Sequence, residues 1–74
     1  MRRLRPLPFR RVERALRALG FLPVRQRGSH VIFVHPDGRL TVVPNHPGEE
    51  IGRGLLRSII ADAQVSPEAF LQLT

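Results

Sequence analysis

The apolar residues near the start of the chain recur at the spacing of an α-helix. One helical face would carry the side chains of Phe9, Val12, Leu16 and Leu19. Arginines occupy most positions between them, and Gly20 follows the last one. Glycine readily takes the left-handed backbone that ends a helix. The pattern therefore predicts an amphipathic helix over residues 9–19 with a basic outer side.

The middle of the chain alternates short apolar runs with turn residues, which is typical of antiparallel strands. The runs predict three strands, at residues 21–25, 30–35 and 39–43. Turns are predicted at residues 26–29 and 36–38, where glycine or proline supplies the dihedral angles that a tight turn needs. Because side chains alternate across a strand, Phe33 would face the opposite way from Ile32 and Val34.

The last third of the chain returns to helical spacing after a loop at residues 44–48. A second helix over about residues 53–64 would carry an apolar stripe of Leu55, Leu56, Ile59, Ile60 and Ala63. Ser66 and Pro67 then suit the cap and first position of a short third helix. Its inward residues would be Phe70, Leu71 and Leu73.

This order, αβββα plus a short C-terminal helix, predicts an α+β fold in which helices cover one face of a three-stranded antiparallel sheet. If Phe33 marks the covered face, Ile32 and Val34 lie with His30 on the open one. Two interpretations follow for these apolar residues. Either a partner protein or a second copy of the chain covers them, or they are scattered surface residues that need no partner.

The excess of arginine in the composition indicates that the protein binds a polyanion. The 74 residues predict one domain, 1–74, and include twelve arginines, no lysine and six acids, for a net charge of +6. Arginine's planar fork of donors binds phosphate oxygens in pairs, so nucleic acid is the natural partner. Genome composition or a hot habitat is the alternative source of such a bias.

The chain offers neither a membrane segment nor cysteine chemistry. No run approaches the roughly 20 apolar residues of a membrane span, and the basic start lacks the apolar core of a signal peptide. A cytoplasmic protein with no membrane partner is expected. The absence of cysteine excludes disulfides, a thiol nucleophile and a thiolate zinc site.

The candidate chemistry rests on histidine. RNA cleavage by the substrate's own 2′-hydroxyl needs a group that removes a proton, and an imidazole does this near neutral pH. His30 is the candidate, with Arg25 and Arg27 to clamp a phosphate, Gly28 to allow close approach of the backbone and Ser29 to donate a hydrogen bond. From residue types alone, a structural or merely exposed His30 remains the alternative.

The other two histidines have their own interpretations. His46 is either an auxiliary group, as a second acid or a phosphate contact, or a loop residue packed on the start of a helix. His35, beside the second turn, is expected to face solvent or to make a structural hydrogen bond. No histidine spacing suits a metal, because His30 and His35 are five residues apart and would fall on opposite faces of one strand.

Several sequence blocks in order strengthen the case for His30. They are Gly20-Phe21, Arg25-Gln26-x-Gly28-Ser29-His30-x-x-Phe33, Pro36-Asp37-Gly38-Arg39, Val43-Pro44-x-His46 and Gly54-x-Leu56-Arg57-x-Ile59. Together they closely resemble the HicA family of toxin mRNA interferases over roughly residues 9–73. Two positions depart from the family's usual pattern, since Glu49 stands where lysine is common and Leu55 where threonine is usual.

The resemblance implies a fold like that of double-stranded-RNA-binding domains. It further implies metal-independent endoribonuclease activity on mRNA, with no cofactor and with His30 as the catalytic residue. The implied partner is a HicB-type antitoxin that binds the toxin and blocks its active site. A non-catalytic RNA-binding module with the same fold is the alternative function, and the departures at Glu49 and Leu55 are expected to affect RNA contact.

Overall fold

A computed structural model describes residues 3–74, so the first two residues of the basic lead lie outside it. The elements in chain order are β1 (Leu7–Pro8), α1 (Phe9–Ala18), β2 (Leu22–Arg27), β3 (His30–Val34), β4 (Leu40–Pro44), β5 (Glu50–Ile51), α2 (Arg53–Ala63) and α3 (Pro67–Gln72). The predicted αβββα order with a short final helix is confirmed. The α+β architecture agrees with a fold like that of double-stranded-RNA-binding domains.

The main sheet is antiparallel, with β3 between β2 and β4. The first strand runs two residues further than the predicted 21–25, and the turn after it contains only Gly28 and Ser29. Gly28 has φ +56°, and a glycine with positive φ at the first central position is what a tight type II′ hairpin turn requires. Gln26 and Arg27 therefore pair with β3 instead of lying in the predicted turn.

A second, two-stranded pairing was not predicted. β1 pairs with β5, Leu7 opposite Ile51 and Pro8 opposite Glu50. Two residues are too few to show alternation, and neither stretch was assigned to a helix or strand from the sequence. The pair anchors the segment before α1 to the segment before α2.

Helices cover one face of the main sheet, and the core lies between them. Its largest fully buried side chains are Phe21, Phe33, Phe70, Leu16, Leu56, Ile59, Val12, Val43 and Thr41. The assignment of Phe33 to the covered face is thus confirmed. The stripe predicted for α2 was wrong at Leu55, which is 41% exposed while its four other members are buried. No helix within residues 3–74 is long and apolar enough to cross a lipid bilayer.

Gly20 ends α1 as predicted. It has φ +102°, its N–H donates to the Arg17 carbonyl at 3.0 Å, and the N–H of Phe21 donates to the Leu16 carbonyl at 2.9 Å. These two bonds form the Schellman arrangement, in which Phe21 also packs back on the helix. The helix end thereby places Phe21 in the core directly before β2.

The two later helices are held by different capping groups. α2 ends on Gln64, whose φ of +58° is left-handed although it is not glycine. Arg39 donates from its guanidinium to the Ala63 carbonyl, which satisfies one of the orphan acceptors at this helix end. At α3 the hydroxyl of Ser66 accepts the Ala69 N–H at 3.1 Å, so the predicted serine cap is confirmed.

Candidate active site

The tip of the β2–β3 hairpin brings together most of the predicted site residues. In the strand register Arg27 lies opposite His30, and Arg25 lies opposite Ile32. Directly opposed residues of an antiparallel pair project to the same face. His30, Arg25 and Arg27 therefore share the face of the sheet that the helices leave uncovered, here called the open face, and all three are exposed.

Among the described residues, the two arginines at the tip are free of ion pairs, unlike Arg17 and Arg39. Within residues 3–74, neither Arg25 nor Arg27 makes an ion pair. Arg17 is paired with Glu13 at 3.2 Å, and Arg39 with Asp37 at 2.8 Å. The guanidinium donors at the tip are consequently available to a ligand, and phosphate is the anion that their fork geometry suits.

The loop after β4 closes over the hairpin turn. The N–H of Asn45 donates to the Ser29 carbonyl at 2.6 Å, and Nε2 of His46 lies 3.3 Å from the Ser29 hydroxyl. Gln26 fixes the other side of the turn by donating from its side chain to the Gly28 carbonyl at 3.0 Å. The chain thus places a second imidazole within hydrogen-bonding distance of the residue that precedes His30.

His46 also borders an open cleft of about 420 Å³. The cleft lies between the start of α1 and the loop that leads to β5, and its walls are Pro8, Phe9, Arg10, Asn45, His46, Pro47, Gly48, Glu49 and Glu50. The cleft is open to solvent and contains charges of both signs. The His46 side chain thus lies between a cleft bordered by the start of α1 and the Ser29 hydroxyl, and its role stays a prediction.

His35 lies away from this site and has a structural role, as one of its two interpretations anticipated. Its Nε2 lies 3.0 Å from the Leu19 carbonyl, and its ring meets Phe21 edge to face at a centroid distance of 5.2 Å. Gly20 allows this contact, because a Cβ atom there would come within 2.8 Å of the His35 Nε2. Residues 3–74 contain no group of three histidine, cysteine or acidic side chains that could hold a metal ion.

Asp37 stabilises the turn between β3 and β4 and is not part of the candidate active site. Its carboxylate accepts bonds from the side chain and the backbone N–H of Arg39. These bonds, the side-chain bond foremost, lower the pKa of Asp37 below its ordinary value. The carboxylate is thus ionised at neutral pH and has no proton to donate.

The open face also carries an apolar area larger than the sequence indicated. Ile32 and Val34 lie there, as predicted, and both are half-buried. Leu22 and Leu40 flank Val34 in the register and are 55% and 52% exposed, and Val42 lies opposite Ile32. We call the set Leu22, Ile32, Val34, Leu40 and Val42 the open apolar patch. The alternation Leu40-Thr41-Val42-Val43 was the signal that could have identified its β4 members.

Comparison with known proteins agrees with this arrangement. The family model described as the HicA toxin of bacterial toxin–antitoxin systems matches residues 9–65, more than half of the 74-residue chain. A comparison with curated proteins gives no match. The matched stretch contains β2–β4, α1 and α2, and hence both the hairpin tip and the loop that closes on it. The chain therefore belongs to the HicA toxin family of bacterial toxin–antitoxin systems.

Proposed function

We propose that this toxin is a metal-independent endoribonuclease that cleaves mRNA in the cytoplasm and so inhibits translation. The observation that carries the proposal is the hairpin tip, where an exposed His30 lies opposite an unpaired Arg27 on a face that no other element covers. Membership of a toxin family supplies the biological setting. His30 is the general acid–base residue of the proposed reaction.

The reaction needs no nucleophile from the protein. His30 removes the proton of a ribose 2′-hydroxyl, whose oxygen attacks the neighbouring phosphorus. The bond from phosphorus to the 5′-oxygen of the next nucleotide breaks, and that oxygen takes up a proton. The products are a 2′,3′-cyclic phosphate and a 5′-hydroxyl, and no oxidant, metal or cofactor is consumed. A positioned general base typically contributes about 10² to 10⁴ in rate.

The groups around His30 suit binding of the phosphate. Arg25 and Arg27 present donors on the same face as the imidazole. Gly28 has no side chain to obstruct an approaching phosphate, and the space where its Cβ would lie is open. The Ser29 hydroxyl adds a donor at the turn. Because phosphate contacts release counterions, RNA affinity is expected to fall steeply as salt rises.

The first experiment incubates an mRNA with wild type and with His30→Ala, each with and without EDTA. Wild-type cleavage that EDTA leaves intact and that His30→Ala loses by about 10²-fold or more supports the proposal. Equal cleavage by both proteins removes His30 from catalysis. Binding without cleavage by either protein favours the non-catalytic RNA-binding module instead, and EDTA-sensitive cleavage points to a metal.

A second experiment tests the phosphate site with a matched control. Arg27→Ala and Arg57→Ala each remove one exposed positive charge, but Arg57 lies on α2, on the far side of the sheet from the tip. Arg27→Ala should weaken RNA binding and flatten its dependence on salt, because one phosphate contact is lost. Arg57→Ala should leave both nearly unchanged. Equal effects would mean that the arginines act only through net charge.

The antitoxin partner is proposed to cover the open apolar patch. Exposed apolar side chains such as Leu22 and Leu40 do not stabilise a monomer, and a bound partner would remove them from water. A HicB-type protein on this face would also cover His30. The double variant Ile32→Ser with Val34→Ser should weaken antitoxin binding, measured by calorimetry. Leu55→Ser, which removes an exposed apolar side chain from α2, is the control.

Self-association through Ile32 and Val34 is the competing use of this patch. Sedimentation of the toxin alone tests it, since a dimer that the double variant dissociates would assign the patch to a second copy. Antitoxin affinity that is the same for the double variant and the Leu55→Ser control would contradict the antitoxin assignment.

The departure at Glu49 has its own test. Glu49→Lys introduces the cation that the family commonly carries at this position, and it lies in the cleft beside His46. A stronger RNA affinity with the same cleavage pattern would mean that Glu49 only reduces electrostatic attraction. A changed cleavage pattern would mean that the cleft contacts the RNA chain directly.

A further inference from the structure

The reaction proposed above requires two proton transfers, and His30 accounts for one of them. The 2′-hydroxyl loses a proton, and the departing 5′-oxygen must gain one, because an alkoxide is a poor leaving group. A second titratable side chain within reach of the same phosphate would supply it. The residues beside His30 on the open face are Arg27, Ile32 and Pro44. None of them can supply the proton, since arginine stays charged and neither isoleucine nor proline has a side chain that titrates.

From its contact with the turn, we infer that His46 is the general acid that protonates the leaving 5′-oxygen, an inference that rests on the proposed function. His46 Nε2 lies 3.3 Å from the hydroxyl of Ser29, and Ser29 directly precedes His30. Two imidazoles are thereby brought to one two-residue turn, although sixteen residues separate them along the chain. The tertiary structure therefore brings His46 to the turn that precedes His30.

Backbone bonds hold the His46 loop at this point. The Asn45 N–H donates to the Ser29 carbonyl at 2.6 Å, directly before His46. The Glu49 N–H donates to the His46 carbonyl at 3.0 Å, which closes the loop into a turn. The imidazole therefore extends from a backbone fixed on both sides, and the Ser29 hydroxyl orients the ring without enclosing it, since His46 is exposed. A proton donor must be both positioned and accessible to the substrate, and this one is.

The charges around the two rings fit different roles. His30 shares its face with Arg25 and Arg27, whereas His46 lines a cleft with Glu49 and Glu50 on its own loop and Arg10 on α1. A general acid carries positive charge before it transfers its proton, and a general base acquires positive charge only as it accepts one. Carboxylates attract the positive charge of a protonated acid, whereas guanidinium groups beside the base can hold the phosphate.

A serine nucleophile is the other chemistry that a Ser29–His46 contact suggests. Such a nucleophile normally has a base whose second nitrogen is held by a third group. Among the described residues, the other ring nitrogen of His46 makes no hydrogen bond to a partner of this kind. RNA moreover carries its own 2′-hydroxyl, so the enzyme needs no nucleophile at this position.

Two variants of His46 separate proton transfer from positioning. His46→Ala removes both the proton and the contact with Ser29, and His46→Gln keeps an amide that can bond the hydroxyl but has no transferable proton. Both should cleave ordinary RNA about 10² to 10⁴ times more slowly than wild type. Both should also lose the fall in rate at alkaline pH that deprotonation of a general acid causes. Circular dichroism checks that each variant is folded.

The decisive readout is a substrate in which sulfur replaces the bridging 5′-oxygen at the bond that wild type cleaves. A thiolate leaves without being protonated, so this substrate should restore the two His46 variants to near the wild-type rate. It should leave His30→Ala impaired, because the 2′-hydroxyl must still lose its proton. That contrast between the two histidines is the expected result.

Different results would contradict the role of His46 and the ribonuclease function. Cleavage of ordinary RNA by His46→Gln at the wild-type rate, or slow cleavage that the sulfur substrate does not restore, would overturn the role of His46 while the ribonuclease assignment stands. Wild type that cleaves neither substrate would overturn the ribonuclease function and this inference together.

Discussion

Replacement of Gly20 by alanine tests how the end of α1 is built. Gly20 has φ +102°, which a residue with a side chain rarely adopts, and a Cβ atom there would lie 2.8 Å from His35 Nε2. The ring cannot stay in place at that distance. If it moves, its bond to the Leu19 carbonyl, 3.0 Å long, is lost.

The second turn provides a control that separates these two costs. Gly38 has φ +99°, almost the same φ as Gly20, but no atom lies within 4 Å of the place its Cβ would occupy. Gly38→Ala should therefore show the backbone strain alone, about 1–3 kcal/mol. Gly20→Ala should cost this amount plus about 0.5–1.5 kcal/mol for the displaced hydrogen bond of His35.

Urea unfolding followed by circular dichroism measures both variants against wild type. A third variant, His35→Ala, completes a double-mutant cycle with Gly20→Ala. In the His35→Ala background the loss caused by Gly20→Ala should fall to that of Gly38→Ala, because no ring remains to be displaced. Equal losses for the two glycine variants in the wild-type background would refute the reasoning.

Three further predictions concern stability. Ser66→Ala should lower the free energy of unfolding by about 1 kcal/mol, because the hydroxyl that accepts the Ala69 N–H is the cap of α3; chemical denaturation measures it, and no loss would mean that water replaces the cap. Thr41→Val should cost about 1 kcal/mol in the same assay, since the buried hydroxyl donates to Asp62 at 3.0 Å, while Thr41→Ser should keep this bond. Asp37→Asn tests pH dependence. The folded state lowers the pKa of Asp37, so its stabilising effect is complete above the unfolded pKa of about 3.9 and is lost as pH falls through the lower folded value. The gap in unfolding free energy between wild type and Asp37→Asn should thus be present at about pH 5 and close below about pH 4. A gap that persists at low pH would contradict this.

Arginine content alone would have overstated the basic surface that is available to RNA. Arg39 contacts Asp37, the Ala63 carbonyl and the face of the Phe21 ring, with its guanidinium carbon 5.1 Å from the ring centroid. It is therefore a structural residue that joins the second turn to α2. Arg25 and Arg27 have no such partners within residues 3–74. They also share a face with His30, so the hairpin tip offers free guanidinium donors beside the candidate histidine.

The sequence indicated the strand residues of the candidate site and named His46 in the loop, but it gave no sign of the contact that His46 makes. His30, Arg25 and Arg27 are close neighbours along the chain, so a turn at Gly28 was enough to bring them together. The length of that turn was misjudged, because Gln26 and Arg27 are polar residues that indicate a loop as readily as an edge strand. The contact of His46 with Ser29 spans seventeen residues of the chain and has no local signal.

The sequence by itself determined the helices, the three main strands and the face that each buries, because these depend on the period of apolar residues and on glycine, proline and serine at element ends. It also determined the family, through blocks of residues in order. Tertiary structure alone decided the β1–β5 pair, the exposure of Leu55 and the approach of His46 to Ser29. Each of these depends on contacts between segments distant in the chain, whose geometry is set by how the helices and the sheet pack, and no local pattern encodes such distances.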